Sequence, residues 1–395
     1  MDYQKTTLPN GARLLTRAVP GARSAALGFF VGVGSRHEAA EENGSAHFIE
    51  HMLFKGTQTR SAAQLARDMD ALGGQFNAYT TKEHTCFYAR VLDKHLDQGM
   101  DILSDMLFHS RFDQGDVELE RGVILEEIGM YEDTPEDLTA ERLSAAVYKG
   151  SPLARPILGT QATLAGMTGE SLQQWQREHY RPGALVVSLA GSFTREQADR
   201  LAGLISGLEP GPLAQQAPAA YRPAVTSRKK AIEQNHLLLA FPALTYLDPR
   251  REQLMLLNSL LGGGCSSRLF QQVREERGLC YTVYSYVADH ADTGLLGIYA
   301  ALGKEQEELA LDTLRGVVSD LADHGPTQEE LDRVREQAKA GLLMSAESVQ
   351  SRMSSMGASE LLYGRVRTQE EILAAYDAVT REQLRQLAGE IFRWD

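Results

Sequence analysis

The chain has 395 residues with 40 basic and 53 acidic side chains, a net charge of −13 and a hydrophobic content of 43%. That length favours two or more domains, and the composition excludes a mainly disordered or collagen-like chain. No apolar run approaches the roughly 20 residues needed to span a bilayer, and the negative balance argues against nucleic acid as the main partner.

The opening MDYQKTTLPNG lacks a basic region followed by an apolar stretch, so no secretory signal is read there and a soluble, cytoplasmic protein is expected. Three cysteines, Cys86, Cys265 and Cys280, are an odd number without CxxC spacing. Neither a disulfide framework nor a cysteine-zinc site follows.

Strand-like and helix-like segments alternate along the chain. Ser24–Val33 reads as a strand, and the segment up to Phe54 as a helix that Asn43 or Ser45 can cap. A helix over Ala62–Leu72 leads through Gly73-Gly74 into Phe76–Tyr79, then a strand over His84–Leu92. Leu96, Met100, Leu103 and Leu107 form the stripe of an amphipathic helix, and a similar stripe runs through 115–131. After a strand at Leu185–Phe193, residues 207–224 hold four of the 13 prolines and no apolar periodicity. They read as a linker between domains at 1–206 and 225–395.

The same order then recurs. Strands are expected at His236–Leu244 and Gly294–Leu302, with helical stripes at 305–323 and 327–344. A helix over Ser267–Arg277 leads through Gly278 into Tyr281–Tyr284, as its counterpart leads into Phe76–Tyr79. An ancient duplication is the reading adopted. The second half ends at Phe392-Arg393-Trp394-Asp395 before any counterpart of Leu185–Phe193, so its sheet is expected to lack that strand, through shortening of the chain or true absence.

The most informative stretch is Gly44-Ser45-Ala46-His47-Phe48-Ile49-Glu50-His51. On a helix His47 and His51 lie one turn apart on one face, where both imidazoles can bind one metal ion. Glu50, at i+3 from His47, is placed to take a proton from metal-bound water rather than to be a ligand. With 10 histidines in the chain, chance predicts roughly 0.02 copies of H-x-x-E-H. His37, His84, His95, His109 and His290 have no ligand spacing and read as structural or solvated.

A third ligand is needed, often a carboxylate. Within Glu118–Ile128, Glu120 and Glu127 are seven apart and share a helix face, whereas Glu126 is turned away. Spacing favours the Glu120/Glu127 face over Glu126, although an exposed acidic face accounts for the same residues at least as well.

Gly32-Val33-Gly34-Ser35-Arg36-His37-Glu38, the H-F-I-E-H helix and Lys55-Gly56-Thr57 together resemble the pitrilysin family of inverted-motif zinc peptidases. Within it, the chain is similar to bacterial relatives of the β subunit of the mitochondrial processing peptidase. The resemblance covers essentially the whole chain. It implies two homologous α+β domains, each a mainly antiparallel sheet with helices packed against it, arranged as a clamshell around a cavity. It also implies one zinc ion held by His47, His51 and Glu127, with Glu50 as general base and Glu120 supporting the site from behind the ligands.

Val273–Tyr281 resembles the family's arginine-and-tyrosine segment, so Arg274 and Tyr281 are implied to bind the substrate carbonyl and stabilise the oxyanion. Substrate is implied to add as a strand to the edge formed by Gln75, Phe76, Asn77 and Ala78. In the second half, Gln253, Leu256 and Leu257 stand where His47, Glu50 and His51 stand in the first, and Lys339 where Glu127 stands. Only the first half is therefore expected to bind zinc.

The function expected is zinc endopeptidase activity on extended peptides or unfolded segments, with basic, presequence-like peptides suggested by the acidic balance and a homodimer as the assembly. The rival is a non-catalytic core subunit of a larger complex, whose mark would be a broken zinc motif; this motif is intact.

Overall fold

A computed structural model describes residues 3–394. The chain forms two compact units, one of Met1–Met130, Gly150–Ala217 and Ser345–Val366, the other of Tyr131–Lys149, Pro218–Met344 and Arg367–Asp395. A simple division into 1–206 and 225–395 therefore misses an exchange. Each half contributes one helical segment to the other unit, because that segment buries its apolar face there. No regular secondary structure occurs from Gly207 to Gln234.

Six strands build the first unit's sheet: β1 (Gln4–Thr7), β2 (Arg13–Ala18), β3 (Ser24–Val31), β4 (Gln75–Thr80), β5 (Thr85–Leu92) and β6 (Leu185–Gly191). Their spatial order is β1-β2-β6-β3-β5-β4. Every pairing is antiparallel except β2 with β6. The weak strands β1 and β2 were not recognised in the sequence; β1 is exposed along its length and shows no apolar alternation.

On β3, Ala25, Leu27, Phe29 and Val31 enter the main core, while Ala26 and Phe30 enter a second core on the opposite face. Burial on both faces explains why β3 and β6 read as continuous apolar runs.

The main core is filled from α1 (Ser45–Met52), α2 (Ala62–Ala71), α3 (Leu96–His109) and α4 (Gln114–Asp133). The second core is closed by the exchanged helix Val349–Tyr363, through Val349, Met353 and Met356. Two glycines permit its approach. A Cβ on Gly28 of β3 would lie 2.4 Å from the Met353 sulfur, and one on Gly357 would lie 2.2 Å from the Phe30 ring. Ser188 on β6 donates to the Met353 carbonyl at 2.8 Å.

In the second unit, β7 (Asn235–Pro242), β8 (Cys280–Asp289) and β9 (Gly294–Leu302) pair antiparallel in the order β7-β9-β8. This reproduces β3-β5-β4, with the first strand of each trio pairing with the third and the third with the second. The repeat read in the sequence is thus a repeat of topology. Among the described residues no strand corresponds to β6. The exchanged helix here is α5 (Pro135–Val147), whose Glu136 accepts a hydrogen bond from the Tyr284 hydroxyl of β8.

The helix expected over Ser267–Arg277 differs in kind. Residues Phe270–Glu275 are π-helical, and the Glu276 N–H reaches back five residues to the Gln271 carbonyl. Apolar spacing cannot reveal a turn widened by one residue. Among the described residues no helix is long and apolar enough to cross a membrane, and the three cysteines are free.

The close contact between sheet and exchanged helix makes a stability prediction. Gly28→Ala and Gly357→Ala overpack the second core and should each lower unfolding free energy by about 1–3 kcal/mol. At Gly203, in the helix Arg195–Ser206, a Cβ would meet none of the described residues within 4 Å; Gly203→Ala should be stabilising by about 0.5–1 kcal/mol. Urea unfolding midpoints read both; neutral Gly28 and Gly357 variants would contradict the packing described.

Candidate metal centre

The site is assembled within the first unit from α1, α4 and the edge strand β4. Helix α1 is short, and its N-terminus is held in an unexpected way. Neither Asn43 nor Ser45 is the cap. The N-cap is Gly44 at φ 103°, which has no side chain with which to accept the orphan N–H groups. A Cβ at Gly44 would also lie 2.9 Å from the Gly159 backbone.

The buried Glu38 carboxylate does the capping, accepting from the N–H of Gly44 at 2.9 Å and of Ala46 at 2.8 Å. Asn43 instead donates its side-chain amide to Glu38 at 2.9 Å. Burial raises the Glu38 pKa to about 7 in spite of these donors. The sequence reading missed this role because a cap supplied from six residues upstream leaves no local signature.

His47 and His51 stand one turn apart, with ring centroids 4.7 Å from each other. Their Nε2 atoms lie 3.6 and 3.5 Å from one oxygen, Oε2 of Glu127. Tetrahedral zinc with bonds of about 2.0–2.1 Å places neighbouring ligand atoms roughly 3.3 Å apart, so these separations fit an ion held between the three. Among the described residues this is the group of histidine, cysteine or acidic side chains close enough to hold a metal.

Burial and the neighbouring His51 lower the His47 pKa to about 4, which keeps the imidazole in the neutral form a ligand needs. Burial opposes charge on His51 too, but the Glu127 and Glu120 carboxylates outweigh it and raise its pKa. Glu127 is in turn lowered, chiefly by its hydrogen bond to His51.

Orientation separates the acidic residues of α4. Val117, Glu120 and Ile124 are the buried face of this helix, and Glu127 continues it one turn further, while Glu126 is exposed. Glu120 lies behind the ligands, its Oε2 3.0 Å from Nδ1 of His51 and its Oε1 2.5 Å from Nζ of Lys55. His47 has no equivalent support; among the described residues its buried Nδ1 has no hydrogen-bond partner.

Glu50 points toward β4, where the Thr80 hydroxyl donates to its Oε2 at 2.5 Å. Burial raises the Glu50 pKa, and the Thr80 hydrogen bond works against that rise. Strand β4 pairs with β5 on one side only, leaving its other edge without a strand partner among the described residues. Gln75 and Asn77 are exposed there, Phe76 and Ala78 half-buried, and the Ala78 N–H donates to Oδ1 of its neighbour Asn77 at 2.8 Å. Thr80 was not singled out in the sequence, since a hydroxyl on a strand has no motif; its link to Glu50 exists only in the fold.

Arg274 and Tyr281 lie in the second unit and are brought together there. The Arg274 guanidinium sits 4.5 Å over the Phe270 ring and 4.7 Å over the Tyr281 ring. Arg274 belongs to the π-helical turn, and Tyr281, at the start of β8, is 76% exposed. A core aromatic is thereby excluded for Tyr281. The residues set against Glu50, His51 and Glu127 are structural: Leu256 and Leu257 are fully buried, and Lys339 pairs with Asp377 at 2.9 Å.

Residues 13–161 match the family described as Insulinase (Peptidase family M16), and residues 166–338 match the Peptidase M16 inactive domain. The chain is 42% identical over 401 residues to a protein of Bacillus subtilis named as an uncharacterized zinc protease, covering 99% of this chain and 96% of that one. A Rickettsia felis protein of the same description is 36% identical, over 99% of this chain and 95% of its own length.

Among solved structures, a protease from Helicobacter pylori superposes with a TM-score of 0.92 at 19% identity, covering 99% of this chain and 96% of the other. A peptidase M16 inactive domain structure from Pseudomonas fluorescens does so with a TM-score of 0.89 at 22% identity, covering 100% and 96%. The ligand set on α1 and α4, the repeated strand trio and full-length identity to zinc proteases agree: the chain belongs to the M16 family of zinc peptidases, with two M16 domains.

Proposed function

We propose that this protein is a zinc-dependent endopeptidase that cleaves extended peptides or unfolded segments. The observation that carries the reading is the convergence of His47 and His51 Nε2 on Glu127 Oε2 at 3.6 and 3.5 Å, with Glu50 beside them. His47, His51 and Glu127 would hold the ion. Zinc, when bound, lowers the pKa of water from about 16 toward about 7 and polarises a carbonyl.

The chain's own groups do the rest. Glu50 accepts the proton of the attacking water and delivers it to the leaving amine, and a raised pKa suits a group that must do both. Thr80 keeps the Glu50 carboxylate turned toward the edge of β4. An extended peptide pairs with that edge along Gln75, Phe76, Asn77 and Ala78, which selects backbone conformation more than sequence. The family resemblance assigns carbonyl binding to Arg274 and Tyr281, and the stacking of the arginine on the tyrosine ring lets the two act as one group.

Basic, presequence-like peptides are the substrate class that a net charge of −13 favours, and a homodimer acting in the cytoplasm completes the proposal.

Glu50→Gln should retain one zinc per chain yet lose about 10²–10⁴-fold in kcat on an unstructured peptide. Undiminished hydrolysis by that variant would sink the mechanism. Glu127→Gln should lose zinc as well as activity, whereas chelated wild type should recover on adding zinc. The preference for basic substrates predicts a kcat/KM that falls with rising salt and with substitution of substrate arginines by alanine. Indifference to both would remove that part of the proposal and leave the chemistry standing.

A further inference from the structure

The two histidines are held unequally. Among the described residues the buried His47 Nδ1 has no hydrogen-bond partner, so no group behind that ring orients it. His51 Nδ1 lies 3.0 Å from Glu120 Oε2, and donation of its proton there leaves the Nε2 lone pair free to face Glu127. The orientation and tautomer of His51 therefore depend largely on one carboxylate.

Glu120 is 4% exposed and sits on the buried face of α4. A carboxylate so buried needs a donor for each oxygen. Its Oε2 has His51, and its Oε1 has the Lys55 ammonium at 2.5 Å. Lys55 follows His51 by four residues, where the backbone continues past Met52 in a turn, its N–H donating to the Met52 carbonyl at 3.0 Å. That offset puts the lysine on the same side of the chain as His51. Its side chain is 35% exposed while that of Glu120 is 5% exposed, so the pair is not a freely solvated surface bridge.

We infer that Lys55 is a positioning residue for the metal centre: by holding Oε1 of Glu120 it keeps Oε2 in place as the acceptor for His51, and so sets the affinity for zinc. Without the ammonium, the buried carboxylate turns toward other donors and the His51 ring loses the group that fixes it. Lys55 touches neither the metal position nor substrate, so its effect is on retention of the ion rather than on the chemical step. The inference rests on the zinc-peptidase reading above.

The test is zinc affinity of the full chain, measured by competition with a chelator of known affinity, for wild type, Lys55→Met and Lys55→Arg. Methionine preserves the apolar stem and removes the charge. Loss of a supporting partner typically costs 10–100-fold in metal affinity, and Lys55→Met is expected to bind zinc at least about 10-fold more weakly. Lys55→Arg should restore affinity, and the melting temperature of the metal-free protein should not change.

Equal zinc affinity in Lys55→Met and wild type would overturn the inference. So would a weakened Lys55→Met that arginine fails to rescue and whose metal-free form melts early, since that is a folding defect. Failure of the wild type to bind zinc at all would instead refute the metallopeptidase reading.

Discussion

The candidate centre depends on bringing three side chains that could hold a metal ion, from two helices, to one point. Imidazole binds a cation only through an unprotonated nitrogen. Burial of His47 supplies that condition on one side by disfavouring charge. His51 is more open, and the carboxylates of Glu127 and Glu120 raise its pKa, so a metal ion binding there has to displace a proton. The two ligands reach a common geometry through different physics, apolar enclosure for one and charge pairing for the other.

That convergence needs α1 to be rigid although it has only eight residues. A helix so short gains little from its own propensity, so its ends must be held from outside. Glu38 ties the N-terminal N–H groups, Leu53 and Phe54 close the C-terminal turn through bonds to Ile49 and His51, and Phe48 and Ile49 are buried in the main core. The buried carboxylate at the N-terminus also complements the helix dipole. Precision at the ligands is therefore a property of the surrounding shell rather than of the motif.

The two units share a strand trio but not the candidate site. Both units retain the same strand trio, yet Leu256 and Leu257 occupy the positions of Glu50 and His51 and are packed into the second unit's core. Replacing charged groups by leucines converts a polar cleft into apolar contact, which a core accepts readily. The second unit instead displays an exposed tyrosine beneath a stacked arginine, on a turn widened to π geometry. Such widened turns frequently mark functional positions.

The sequence by itself placed His47 and His51 on one face of a helix with Glu50 between them, because a spacing of four on a helix is a local geometric statement. It also carried the repeat, since periodicity and punctuation recur in the same order, and the α4 face shared by Glu120 and Glu127. Choosing Glu127 as the third ligand took either the family resemblance or the fold, since an exposed acidic helix looks the same in one dimension.

Only tertiary structure decided the groups that act from a distance: Glu38 on the end of α1, Thr80 on Glu50, Lys55 behind Glu120, and the exchange of one helix between the units. Each is a contact between segments whose separation along the chain bears no fixed relation to their separation in space. A side chain's partner across a core is set by strand order and helix orientation, which short-range patterns do not encode.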